Sequence, residues 1–159
     1  MTLPEPVETM ASPLRMEYTF VAGTGRSVFL RGLARRQLLA RRCPGCRMVY
    51  APAPAFCSGC LLPTGPPFAL SGRGEVATFC VVNFPFPGQV HQPPYVVAHI
   101  RLDGADTRLQ HLVREIAPEL VRIGLPVEPV WVDDAELDTS TTSIRWFRPI
   151  REPIGPADA

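Results

Sequence analysis

The sequence predicts a mainly β protein with one N-terminal helix, a cysteine-rich metal-binding segment and a small five-stranded barrel. Nineteen prolines in 159 residues lie mostly between apolar runs, which favours short strands over a helical bundle. Four cysteines form two C-x2-C pairs near the first third of the chain. Five short apolar segments follow, and one of them alternates cleanly between apolar and polar residues.

The charge pattern gives little support to a nucleic-acid or membrane partner. The net charge is +1, and every basic residue is arginine. No run approaches the roughly 20 apolar residues of a membrane helix, and the opening MTLPEPVETM lacks the apolar core of a secretory signal. We therefore expect a cytoplasmic, reducing setting, where paired cysteines bind metal more often than they form disulfides.

A short helix is predicted over residues 27–39. Leu30, Leu33, Ala34 and Leu38 fall on one helical face, and Ser27 is a candidate N-cap. The predicted organisation has five parts: 1–15 a disordered lead, 16–40 a helical segment, 41–63 a ribbon, 70–150 a barrel domain and 151–159 a tail.

The cysteine spacing C-x2-C-x10-C-x2-C predicts a closed four-thiolate metal site. Its ligands are Cys43, Cys46, Cys57 and Cys60. Zinc is expected ahead of iron, because two C-x2-C turns supply the tetrahedral thiolate set that zinc accepts. Four ligands leave no open position for catalysis, so the metal should hold the short segment folded. A thioredoxin-like redox pair would leave the second C-x2-C unexplained.

The second half of the chain predicts a small, partly open barrel of the OB type, with a β-sandwich as the alternative. The five strands are expected at 76–84, 95–102, 109–113, 127–132 and 144–147, with a helical turn near 117–123. In the second strand, Val96, Ala98, Ile100 and Leu102 should face the core. Cys80 lies in the first strand, within VATFCVVNF, and is predicted to be a small buried residue.

Six segments follow the helix in a set order: LLARRCPGCRMVY, FCSGC, SGRGEVATFCVV, PPYVVAHIRLDG, VRIGLPVE and WFRP. In that order they resemble the small accessory proteins of the family called Domain of Unknown Function thirty-five. The resemblance covers about residues 18–149. It implies a rubredoxin-like zinc ribbon joined to an OB fold.

The same resemblance implies a function. Proteins of this kind are partners of thiolase-superfamily enzymes and help to form the path of an acyl-coenzyme A ester. Some of those partners are thiolases, and others are aldolases that cleave steroid side chains. The resemblance therefore implies a non-catalytic subunit of a hetero-oligomeric thiolase or aldolase (lyase) complex, with structural zinc and a coenzyme A ester as the shared ligand.

Two departures from the family pattern concern the metal turns. A glycine commonly follows the second cysteine of each pair, where it permits a positive φ. Arg47 and Leu61 hold those positions here, which puts the usual turn geometry in question. A Pro-Pro-Arg run often follows the first pair, and residues 51–54 read Ala-Pro-Ala-Pro instead.

A surface for acyl-CoA or for the partner is predicted from five residues: Arg31, Arg35, Phe84, Phe86 and Tyr95. Arginines suit the phosphates of coenzyme A, and exposed aromatic residues suit a partner surface or a pantetheine wall. The structural alternatives are a solvated helix face for the arginines and closure of the barrel end for the phenylalanines.

Two other functions remain open at this point. Zinc ribbons and OB folds also bind nucleic acid, for which Tyr95, His99 and Arg101 could supply stacking and charge. A stand-alone enzyme would need a base such as His91 or His111, and each of these is expected to be a surface polar residue instead.

Overall fold

The computed structural model describes residues 19–150. Within that range the chain forms one α-helix and eight strands, and no helix is long or apolar enough to span a membrane. The predicted lead at 1–15 and tail at 151–159 lie outside the described residues. The elements are α1 Gly23–Leu33, β1 Leu39–Arg42, β2 Val49–Tyr50, β3 Pro67–Ala69, β4 Gly74–Val82, β5 Tyr95–Leu102, β6 Arg108–Val113, β7 Pro126–Trp131 and β8 Ile144–Pro149.

The helix α1 begins and ends earlier than the 27–39 predicted from the sequence. Ser27 is not its N-cap, because it lies inside the helix and its hydroxyl donates to the Gly23 carbonyl at 2.6 Å. The chain leaves the helix at Ala34 and turns through Arg36, whose φ is 55°. Leu39 then enters β1 and is not the last residue of the helix, as the sequence had predicted.

Close packing explains where the helix lies. Phe29 and Leu33 are buried in the core, and two helix positions touch neighbouring main chain. A Cβ atom on Gly25 would lie 2.4 Å from the Ala55 nitrogen, and one on Gly32 would lie 2.8 Å from the Gln37 carbonyl oxygen. Glycine at these two positions therefore lets α1 approach the ribbon and its own following turn.

The cysteine segment is built on a three-stranded sheet in the order β2-β1-β3. Both neighbours of β1 run antiparallel to it, with Arg41 opposite Tyr50 on one side and Ala40 opposite Phe68 on the other. The sheet is short, and its third strand is exposed. It was not predicted from the sequence, where residues 64–72 read as a Pro/Gly-rich connection.

The second half forms the predicted five-stranded barrel, closed in the order β4-β5-β6-β8-β7. Most neighbours are antiparallel, whereas β6 and β8 meet in parallel at a single pair, Val113 with Phe147. The barrel interior is apolar, and its most deeply buried side chains are Val76, Val96, Ile100, Leu102, Val127 and Phe147. The mainly β class, the single helix and the barrel are therefore confirmed.

Strand β5 has the predicted bounds and the predicted faces, since Val96, Ala98, Ile100 and Leu102 are all buried. The prediction for Cys80 in β4 was wrong, because its side chain is exposed. A β-bulge between Val76 and Thr78 shifts the alternation of β4 by one residue. Phe79 then packs against the core, and Cys80 faces outward.

Four hydrogen bonds join the ribbon to the barrel. The Val49 N–H donates to the Asp106 carboxylate at 2.8 Å, and the Asp106 N–H donates back to the Val49 carbonyl at 2.9 Å. The Thr107 hydroxyl accepts from the Ala51 N–H at 2.8 Å and donates to the Ala51 carbonyl at 3.0 Å. The turn between β5 and β6 therefore fixes β2, and with it the cysteine segment, against the barrel.

Candidate metal centre and exposed surfaces

The two C-x2-C turns have the same main-chain hydrogen bonds. In the first, the Arg47 N–H donates to the Cys43 carbonyl at 3.0 Å, and the Cys43 N–H donates to the Met48 carbonyl at 2.8 Å. In the second, Leu61 donates to Cys57 at 3.0 Å, and Cys57 donates to Leu62 at 2.9 Å. The pseudo-symmetry of these turns points both cysteine pairs at one centre.

Positive φ angles are present in both turns although neither has a glycine after its second cysteine. Arg47 has a φ of 66° and Leu61 a φ of 58°. A left-handed conformation costs a non-glycine residue about 1–2 kcal/mol. The turn geometry put in question by the sequence is therefore formed, and the surrounding hydrogen bonds stabilise it against this cost.

The four cysteine sulfurs are positioned to bind one metal ion. All of them lie within 4.8 Å of one another, and Cys46 Sγ is 3.6 Å from Cys57 Sγ. A zinc ion bound by four thiolates at about 2.3 Å separates its sulfurs by about 3.8 Å, so the observed spacing fits. Cys43 and Cys57 are buried, while Cys46 and Cys60 are exposed. The donor set is thus complete and closed, with one edge facing solvent.

Tyr50 supports this centre from beside it. Its buried hydroxyl lies 3.1 Å from Cys57 Sγ and 3.1 Å from the Ser58 hydroxyl. Donation from Tyr50 lowers the pKa of Cys57 to about 6, whereas the hydrogen bond with Cys46 raises the pKa of Cys60 to about 12. Metal ions bind cysteine as the thiolate, so a bound cation would favour the deprotonated form of all four ligands.

Tyr50 was not predicted from the sequence, because it has no fixed spacing to the cysteine it contacts. The only available signal was an aromatic residue on the strand that follows the first pair. Three arginines, Arg41, Arg42 and Arg47, flank the ligands in the sequence, and their charge suits a four-thiolate set. Of these, Arg42 is exposed and donates to the Arg47 carbonyl at 3.3 Å, which places its guanidinium on the first turn.

The predicted aromatic surface lies on the loop between β4 and β5. Phe84 is 70% exposed and Phe86 is 50% exposed, so neither closes the barrel end. The Gln89 side chain holds the loop in shape: its oxygen accepts from the Phe86 N–H at 3.2 Å, and its nitrogen donates to the Tyr95 hydroxyl at 3.0 Å. Two of the five predicted surface residues therefore lie on this loop, and a third, Tyr95, anchors it from the start of β5.

The two predicted arginines lie apart from that loop, on α1. Arg31 and Arg35 are exposed and form no ion pair with another described residue, whereas the adjacent Arg36 binds Asp134 at 2.8 Å. The structure thus divides the predicted surface into a helix part and a loop part.

Two of the three residues considered for nucleic-acid binding already interact with other side chains. Arg101 pairs with Glu75, and the Tyr95 hydroxyl is bonded to Gln89. His99 is exposed. This arrangement offers no free cation beside a stacking ring at these three positions.

The two histidines considered as bases are partly buried rather than surface residues. His91 contacts the Arg114 guanidinium at 3.3 Å and the edge of the Tyr95 ring. His111 accepts the Leu112 N–H at 3.0 Å, and burial lowers its pKa. Neither is hydrogen-bonded to a Ser, Cys or carboxylate side chain within residues 19–150.

Comparison with known proteins identifies relatives of both halves. A family model described as the C-terminal OB-fold domain of ChsH2 matches residues 69–132. A DUF35 domain-containing scaffold protein of Methanocaldococcus jannaschii is 36% identical over 95 residues, which are 59% of this chain and 67% of that protein. A probable enoyl-CoA hydratase alpha subunit of Thermomonospora curvata is 32% identical over 103 residues, 64% of this chain. The chain spans only about a third of that second relative, 32% of its length.

Two solved structures share the fold. One is a chain of the Ltp2-ChsH2(DUF35) aldolase, with a TM-score of 0.61 and 26% identity, covering 80% of this chain and 95% of that chain. The other is a DUF35 protein of unknown function from Sulfolobus solfataricus, with a TM-score of 0.57 and 16% identity over 77% of this chain and 81% of that one. The second likeness concerns the fold alone.

Proposed function

Because this chain belongs to the DUF35 family, we propose that it is a non-catalytic accessory subunit of a thiolase-like enzyme that acts on acyl-CoA esters. In this role it stabilises a catalytic subunit and forms part of the wall along which the acyl-CoA ester enters. The partner reaction is thiolysis or retro-aldol cleavage, and steroid side chains are one substrate class within it.

The likeness to a chain of the Ltp2-ChsH2(DUF35) aldolase is the observation that carries this proposal. It covers 80% of this chain and 95% of that chain, so it extends beyond the barrel alone. The site geometry agrees with a supporting role, because a closed four-thiolate centre has no open coordination position for a substrate.

Zinc is the ion we propose for Cys43, Cys46, Cys57 and Cys60. When bound, it would supply structural cross-linking and no Lewis-acid step, because all four positions are taken by protein. The cysteine segment has only a small buried cluster of its own, formed by Cys43, Tyr50 and Cys57, whereas its residues Val49 and Ala51 belong to the main core. Its fold therefore depends on the ligand set.

The two exposed surfaces have different roles in the proposal. The loop with Phe84 and Phe86 is apolar and is anchored to Tyr95 of β5, as expected of a protein-binding surface. Arg31 and Arg35 on α1 are exposed cations without ion pairs to described residues, and they suit the phosphates of coenzyme A. No Asp or Glu occurs in the sequence from Tyr18 to Gly74, so no carboxylate close in sequence neutralises these two arginines.

The test is co-expression with thiolase-superfamily catalytic subunits, including an Ltp2-type aldolase. We expect a stoichiometric complex by size-exclusion chromatography with light scattering, and higher turnover of an acyl-CoA ester than the catalytic subunit shows alone. A chain that stays separate from every such subunit and leaves their turnover unchanged would contradict the proposal.

Two substitutions make the test specific to the loop. Phe84→Asp should weaken the complex at least about tenfold, because a charge at a desolvated interface is costly. Val21→Asp is the matched control, since Val21 is also an exposed apolar residue, at 95%. Equal effects of both substitutions would remove the loop from the interface while leaving the accessory function in place.

A further inference from the structure

Within residues 19–150, the outer edge of β4 is open along its second half. Strand β4 pairs with β7 only at Gly74 and Glu75, and Val76 is bonded to the loop before β7. From Thr78 to Val82, no described residue outside β5 provides a main-chain hydrogen bond to this strand. Five residues of strand, about 17 Å long, are therefore paired on one side only.

The direction of the main-chain groups along this edge follows from the bulge. Val76 turns its N–H and C=O away from β5, toward Leu125 and Gly124. The bulge then inserts one extra residue into β4. The alternation of main-chain groups toward and away from β5 therefore resumes one position later. Phe79 and Val81 are the next residues whose N–H and C=O face away from β5.

This edge lacks the features that usually keep edges from pairing. Proteins protect open edges with charged side chains, prolines or coverage by another element. No Asp, Glu, Lys or Arg occurs from Val76 to Ile100, the edge residues include no proline, and the bulge lies at the start of the open part rather than in it. The edge runs directly into the exposed loop that contains Phe84 and Phe86.

We infer that residues Thr78–Val82 pair with an extended, uncharged segment of the thiolase-type catalytic subunit, which adds a strand to the barrel edge. Main-chain hydrogen bonds at Phe79 and Val81 supply the pairing, and the adjoining loop supplies the apolar contact. The occupant is uncharged because a charged segment would lose its hydration against a charge-free surface without gaining a partner. This inference rests on the proposed accessory function.

Hydrogen exchange of the free chain and of its complex with the co-purified catalytic subunit tests the inference. The Phe79 and Val81 amides should exchange at least about tenfold more slowly in the complex, since each gains a hydrogen bond. A complex that leaves 78–82 unchanged overturns the inference but preserves the accessory function. Failure to form any complex overturns both.

Val81→Pro removes one outward N–H, and edge strands accept proline at such a position. It should weaken the complex about tenfold, whereas Val81→Ala, which keeps the N–H, should change it only about twofold. Equal weakening by both variants would contradict main-chain pairing.

Should Val81→Pro lose its fold, the hydrogen-exchange measurement on the unmodified chain decides. Protection of 78–82 that depends on the concentration of the chain alone would make a second copy the occupant and overturn the assignment.

Discussion

The ribbon and the barrel are held together by different means. The barrel closes around a continuous set of buried side chains, with Val76, Val127 and Phe147 completely inaccessible. The ribbon has a separate buried cluster of only three residues, Cys43, Tyr50 and Cys57, and it leaves apolar residues such as Phe56 and Leu61 exposed at 59% and 77%. A segment this short cannot enclose a core, so its ligand set replaces one.

The same difference determines what each region can present to a partner. The barrel can leave a strand edge and an apolar loop exposed because its interior is stable without them. The ribbon can hold two residues at positive φ because the turn hydrogen bonds oppose that cost, and the proposed metal ion would add to them. The four predictions below test this division, beginning with the largest effect.

Removal of the metal should unfold the ribbon and leave the barrel folded. Structural zinc contributes on the order of 10–16 kcal/mol to small zinc domains at neutral pH. Cys57→Ser should therefore abolish stoichiometric zinc and the dispersed amide signals of residues 41–63, while signals of β5 persist. Cys80→Ser is the matched control, since this exposed cysteine lies on the barrel, and it should retain full zinc. A Cys57→Ser protein with unchanged ribbon signals would contradict a structural metal.

A cavity in the barrel should have the opposite regional effect. Phe147 is fully buried, so Phe147→Ala should lower the free energy of unfolding by about 3–5 kcal/mol. Phe84→Ala, in the exposed loop, should change it by less than about 0.5 kcal/mol. Chemical denaturation followed by tryptophan fluorescence measures both, because Trp131 and Trp146 belong to β7 and β8. Similar losses from the two variants would show that Phe147 does not hold the barrel core.

The barrel could be predicted from sequence to a large extent, because its strands carry local signals. The alternation of β5 gave its bounds and its buried face. The apolar run of β4 predicted that a strand is present but not which of its side chains face the core. A bulge at Ala77 decides which side chains face inward. Cys80 was assigned to the wrong face for this reason.

The ligands of the metal centre could also be predicted, because C-x2-C pairing is local in sequence. The residues that hold these ligands in place could not be predicted. Tyr50 and Asp106 act through contacts that depend on how the ribbon folds and where it docks, and neither has a characteristic spacing. The helix was displaced for a related reason: the close approaches at Gly25 and Gly32 are tertiary contacts, which override the apolar periodicity.

Loss of the Tyr50 hydroxyl should weaken the metal site without destroying it. Tyr50→Phe removes the hydrogen bond to Cys57 Sγ, and groups that support a ligand in this way affect affinity about tenfold or more. Competition with a chelator should show that decrease, and zinc should be released at a higher pH on acidification. Tyr95→Phe is the control, because Tyr95 is bonded to Gln89 on the barrel. Equal zinc affinities in both variants would exclude Tyr50 from this role.

The smallest expected effect concerns the joint between the two regions. Asp106→Ala removes the acceptor of the Val49 N–H, and because Asp106 is exposed, the cost should be about 1 kcal/mol. For a chain of this size that corresponds to a lower melting temperature by about 2–4 °C. Asp106→Asn keeps a side-chain oxygen that can accept the bond, so it should recover most of the loss. The Val49 amide should exchange faster in Asp106→Ala while zinc content stays full, since the bond fixes the position of the ribbon and not its ligands. An unchanged Val49 exchange rate would mean that the Asp106 side chain does not help to fix the ribbon, and that the main-chain bond of Asp106 and the Thr107 bonds suffice.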